Sequence, residues 1–190
     1  MPARGMLYFF YEVYSQPWGG HDEQDGWRII FHPDEDPTNL HCTAHPTYTI
    51  TDVEIQALPP HIIKFRHRWV LPMLFEAEEG KAHGLDMDDD AFILYFDKLV
   101  ASRETLHYFF GFPYPIQGSV VYACAKQARQ LHITTEIEAE VPNWQFLFQI
   151  DSDDDLDMMW GDSGILYVCI PIDSLKNRNF DDSWTIMQCS

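Results

Sequence analysis

QFLFQIDSDDDLDMMWGDSGILYVCI, residues 145–170, places two largely apolar runs, 146–150 and 165–170, on either side of a loop carrying Asp151, Asp153, Asp154, Asp155, Asp157 and Asp162. Both runs are short and rich in β-branched and aromatic side chains, the composition that favours strands over helices. Acidic residues together with Gly161 and Gly164 break the chain between them. The stretch reads as strand, acidic loop, strand, and the rest of the chain is expected to support this hairpin.

Downstream, Pro171-Ile172-Asp173 opens a turn or short helix around Leu175, and residues 184–189 (WTIMQC) make a last strand. Upstream, 133–141 (ITTEIEAEV) alternates imperfectly and reads as a short strand or a loop edge. Residues 119–131 fit a helix, because Val120, Cys124 and Ala128 recur at i, i+4 and i+8. In 107–117 (HYFFGFPYPIQ), Gly111, Pro113 and Pro115 deny regularity, so a turn-rich aromatic hairpin or loop is expected. The run AFILYFDKLVASR follows Asp88, Asp89 and Asp90, with Lys98 and Arg103 towards its end. That charge order complements a helix dipole, and Phe92, Phe96, Leu99 and Val100 fall on one face.

Residues 76–90 read as a polar loop, and 61–75 (HIIKFRHRWVLPMLF) fit either a helical stripe or a strand until Pro72. A strand is expected at 47–55 (TYTITDVEI) and a turn at 33–37 (PDEDP). The aromatic run at 6–14 (MLYFFYEVY) has the pattern of a strand buried on both faces. It is expected to pair antiparallel with 27–32 (WRIIFH) across the 21–26 loop. Neither a repeat nor a linker divides the chain, so residues 1–190 read as a single domain.

Hydrophobic residues make up 46% and aromatics 15% of the 190 residues, which supports a packed core rather than a disordered chain. Twelve Lys and Arg against 30 Asp and Glu leave a formal charge of −18. Such a surface repels phosphate backbones, so nucleic acid is not an expected partner. It suits a cation, a basic protein, or plain solubility. Cys42, Cys124, Cys169 and Cys189 show no CxxC spacing. The apolar run at 6–11 is too short for a signal-peptide core, and no run approaches a membrane span. A cytoplasmic protein with reduced thiols and no membrane partner is expected.

Several motifs now line up. They are His107…Gly111-Phe112-Pro113…Pro115-Ile116-Gln117, then FLFQIDSD at 146–153, WGDSG at 160–164, and Asp173, Leu175, Phe180, Trp184 and Cys189. With GMLYFFYE at 5–12 and QPWG at 16–19, this order resembles the YwqG-like family, a domain of unknown function, over nearly the whole chain. The resemblance implies an α+β, mostly β fold with antiparallel roll-like sheets and two or three helices. It implies no established activity. Family members usually carry a further segment before the GMLYFF strand, so a shortened member or a fragment is expected here.

The acidic loop invites comparison with an EF-hand, since Asp151, Asp153, Asp155, Asp157 and Asp162 occupy ligand-like positions. Leu156 stands where the sharp turn takes glycine, however, and Asp162 stands where a longer, bidentate glutamate belongs. The flanks are also strand-like. What remains is a looser divalent-cation site of Asp151, Asp153, Asp155 and Asp162, weighed against a solvated turn whose aspartates bond backbone amides. His41, Cys42 and His45, with His32 upstream, match no familiar zinc spacing and read as loop residues.

His107, Gln117 and Gln149, joined by Asp151, Asp153, Trp160 and Asp162, are the candidates for a small-ligand site with aromatic walls. A histidine beside a carboxylate could do acid–base work, even hydrolysis. The competing account has His107 capping an element and the glutamines satisfying buried backbone. Gly161-Asp162-Ser163-Gly164 lacks the spacing of a nucleophile elbow. The function expected first is non-enzymatic binding of a basic protein, as an immunity or accessory protein would do, with no resident cofactor. A weak divalent-metal or small-ligand site on the acidic loop is the alternative.

Overall fold

A computed structural model of the chain describes residues 4–33, 61–67, 72, 88–101 and 106–190. In chain order these form β1 (Met6–Tyr11), β2 (Trp27–His32), α1 (Asp89–Ala101), β3 (Tyr108–Phe109) and α2 (Val120–Arg129). They continue with α3 (Thr134–Glu140), β4 (Trp144–Asp151), β5 (Ile165–Pro171), α4 (Ile172–Lys176) and β6 (Trp184–Gln188). The β1–β2 pair is one antiparallel sheet, and β3-β4-β5-β6 is a second, also antiparallel. The fold is α+β, as expected.

The acidic hairpin is the spine of the larger sheet. Every residue of β5 is buried, because both of its faces are covered. Ile165, Tyr167 and Cys169 face α2, whose Val120, Cys124 and Ala125 pack into the same cluster. Val168 and Ile170 face the other way, onto Ile29 of β2 and the partly buried Leu7 and Phe9 of β1. The result is helix, four-stranded sheet, two-stranded sheet. A register shift between Phe146 and Phe148 in β4 lets both faces stay apolar through one irregular step.

The small sheet docks through aromatic edges. Phe9 meets Phe148 with ring centroids 5.3 Å apart, and Trp27 meets Trp184 at 5.3 Å. The connection between β1 and β2 also covers the outer edge of β6, with Met187 N donating to Trp18 O at 3.2 Å. Gly19, at φ +95°, allows that approach: a Cβ there would lie 2.4 Å from Thr185 O.

Four expectations change. Residues 133–141 are neither a short strand nor a loop edge: α3 occupies Thr134–Glu140, with only Ile137 of it buried. The first strand is not buried on both faces, since Met6 and Phe10 stand 43% and 56% exposed while Leu7, Phe9 and Tyr11 turn inward. The described residues hold four α-helices rather than two or three, so sheet dominates less than expected. Residues 61–67 are neither helix nor strand.

α1 forms where read, and Asp88 caps its start by accepting from Ala91 N at 2.8 Å. Phe92 is half-buried, and the side chains of Phe96, Leu99 and Val100 lie outside the description. Most of the 33–37 turn and the 76–90 loop, the strand at 47–55, and His41, Cys42 and His45 lie outside the described residues.

Candidate functional site

The connection from β4 to β5 is a knot of local hydrogen bonds. Ser152 N and Ser152 Oγ both donate to Gly164 O, at 3.1 and 2.8 Å, and Trp160 N donates to Ser152 Oγ at 3.0 Å. Asp153 and Met158 exchange backbone bonds at 2.8 and 3.0 Å, closing a tight turn. Within it, the Asp153 carboxylate accepts from Asp155 N at 3.0 Å and so caps the 3-10 turn Asp154–Leu156, while Asp157 ends that turn at φ 53°. Gln16 braces the loop from outside. Its amide donates to Met159 O at 3.0 Å and accepts from Gly161 N at 2.7 Å.

Against the base of this hairpin lies a clasp made by Leu106 and His107. Leu106 N donates to Asp151 Oδ2 at 3.0 Å, and Gln149 Nε2 donates to Leu106 O at 3.0 Å. Asp151 N donates to His107 Nδ1 at 3.1 Å, and His107 Nε2 lies 3.2 Å from Asp153 Oδ2. The backbone N–H can only donate, so Nδ1 must accept. The neutral ring therefore carries its proton on Nε2 and gives it to Asp153. Trp160 completes the group, its Nε1–H donating to Asp151 O at 3.1 Å while its ring packs edge-on against Tyr11.

Of the residues singled out from sequence, His107, Asp151, Asp153 and Trp160 do meet. Gln149 sits one step inward. It is 1% exposed and spends both ends of its amide on backbone, accepting from Tyr114 N at 2.9 Å as well as donating to Leu106 O. Gln117 joins elsewhere, and through its backbone: its N–H donates to Gln188 Oε1 at 2.9 Å. Asp162 is exposed, its carbonyl accepting from Ser190 N at 3.3 Å. Asp155 is exposed as well. Among the described residues, no three His, Cys, Asp or Glu side chains are grouped to hold a metal ion.

Chemically, the clasp is closed. A general base needs a lone pair facing its substrate, and both ring nitrogens of His107 are engaged by hairpin groups. The buried Asp151 carboxylate is tied to Leu106 N. What the hairpin offers to solvent is charge. Asp154, Asp155, Asp157 and Asp162 are all exposed. The Lys and Arg ion pairs between described residues go to Asp181, Glu140 and Asp173 instead, none of them on this hairpin.

Gln188 is a buried side chain beside this region that the sequence does not single out. It accepts from Ile116 N and Gln117 N, both at 2.9 Å, and donates to Gly118 O at 3.2 Å, so it holds the turn that leads into α2. Its place could have been found, because Trp184, Ile186 and Gln188 share one face of β6 and a polar third member of an inward row needs partners.

A family model described as a domain of unknown function, DUF1963, matches residues 1–189. The chain belongs to that family. In this DUF1963 chain the match spans both sheets, the clasp and the acidic hairpin alike. No curated protein matches the chain. Among its described residues no helix is long and apolar enough to cross a membrane.

Proposed function

We propose that this is a YwqG-like, cytoplasmic, non-enzymatic binding protein whose acidic hairpin docks a basic partner protein. The observation that carries this reading is the exposed set Asp154, Asp155, Asp157 and Asp162, whose carboxylates have no Lys or Arg counter-ion among the described residues. The hairpin is pre-shaped by its own hydrogen bonds and by Gln16, so little ordering remains to oppose binding. A chain of charge −18 steers cationic surfaces towards it and repels other acidic ones. The closed His107 clasp favours a binding role over acid–base chemistry.

Affinity capture over a salt series tests the reading. Basic partners released as ionic strength rises are expected, since exposed charge pairs are screened within about 8 Å at physiological salt. Partners without basic bias, or a complex indifferent to salt, would refute it. A saturable thermal shift with calcium, magnesium, manganese or zinc that is lost in Asp155→Ala would instead favour a divalent cation on the same loop.

A further inference from the structure

Two of the chain's thiols meet beneath α2. Cys124 projects from α2 and Cys169 from β5 into one cluster, and both are fully buried. Cys169 is the antiparallel register partner of Trp184, and Cys124 Sγ lies 3.8 Å from the Trp184 carbonyl oxygen. Cys124 therefore sits beside the β6 position paired with Cys169, in the cluster that both share with Tyr167. Both are free thiols.

We propose that Cys124 and Cys169 are a latent intrachain disulfide that, on oxidation, staples α2 to the central strand. The chemistry balances with a peroxide as oxidant. One thiolate attacks the peroxide and breaks its O–O bond, giving a sulfenic acid and hydroxide, which takes up the proton that thiol had released and leaves as water. The second thiol displaces the hydroxyl as a second water, forming the S–S bond. Two thiols lose two protons and two electrons, and the peroxide takes both. The resting state resists this step. Burial, aided by a hydrogen bond with Cys169, pushes the Cys124 thiol well above its ordinary range, and the thiolate is the reacting form. Closure therefore waits for α2 to lift from the sheet. It marks sustained oxidation, the setting in which disulfides of reducing compartments act as sensors.

The test uses the full chain, reduced and then treated with hydrogen peroxide or diamide, read by intact mass and by non-reducing peptide mapping. The expected product is lighter by two hydrogens, with Cys124 linked to Cys169, and its melting midpoint is higher by roughly 8–16 °C, the scale for a loop of this size in a chain of this length. Cys124→Ala and Cys169→Ala should each abolish that product. Sub-denaturing urea should speed its formation in the unaltered chain. A link through Cys42 or Cys189, thiols that stay reduced after prolonged treatment, or an oxidised form that melts lower would each overturn the proposal.

Discussion

Replacing His107 tests whether the clasp is structural. His107→Ala removes the acceptor for Asp151 N and the donor to Asp153 Oδ2. A net intramolecular hydrogen bond contributes about 0.5–1.5 kcal/mol, and one to a charged group about 1.5–3. The ring is 35% exposed and Asp153 16%, so solvent screens the charged bond and the lower ends apply. The expected cost is about 1.5–2.5 kcal/mol. Asp153→Ala removes the same charged bond together with the cap on Asp155 N, at about 2–2.5 kcal/mol.

Because the two substitutions share one bond, the double variant should fall short of the sum by about 0.5–1.5 kcal/mol. Urea unfolding of the four proteins, read from midpoints at a common m value, measures that coupling. A coupling indistinguishable from zero, or a neutral His107→Ala, would refute the reasoning. It would also return the imidazole to the pool of groups open to chemistry.

Gln188→Leu keeps the bulk but strands three backbone groups of the 116–118 turn, so a loss of about 2–3 kcal/mol in chemical denaturation is expected, with proteolysis near that turn increased. Gly164→Ala sets a Cβ 2.5 Å from Gln188 O and 2.6 Å from Trp160 O, both backbone atoms, so a loss above about 3 kcal/mol or failure to accumulate as folded protein should follow. At Glu140, burial pushes the carboxyl up, but bonds from Asn143, Arg129 and Trp144 outweigh it and hold the carboxyl below its ordinary value of 4.5. A folded value below the unfolded one gives stability that is present above 4.5 and lost as pH falls through the folded value. The gap in melting midpoint between the unaltered chain and Glu140→Gln should accordingly close on acidification from neutrality.

The hairpin and its flanks were legible because their signals are local. Two short β-branched runs around a polar loop admit few alternatives, and the 27–32 run reads as a partner for β1 from the turn residues between them. The helix at Thr134–Glu140 was not legible. Ile133, Thr134 and Thr135 bias the segment towards strand, and only Ile137 is buried to mark a helical face. Glu140 helps fix it through bonds to Arg129 of α2 and to Trp144 of β4, contacts that exist only once the fold has formed.

The aromatic run at Met6–Tyr11 was over-read for a related reason. Hydrophobicity alone does not distinguish inward Phe9 from outward Phe10, which depends on which strands cover it. The meeting of His107 with Asp151 and Asp153 is suggested by residue chemistry alone. Its purpose depended on the register of β3 against β4, which sets which ring nitrogen meets which hairpin group.

The most direct measurement compares two variants of equal charge. One replaces Asp154, Asp155, Asp157 and Asp162 with asparagine; the other neutralises four exposed acids elsewhere, Asp22, Asp25, Glu136 and Glu138, as their amides. Both lose the same negative charge, so bulk attraction falls equally and only the position differs. Retention of the captured basic partner is then read at a fixed salt concentration. The account predicts that the hairpin variant loses the partner while the control keeps it. Equal loss in both variants, or retention in both, would contradict a docking role for the hairpin.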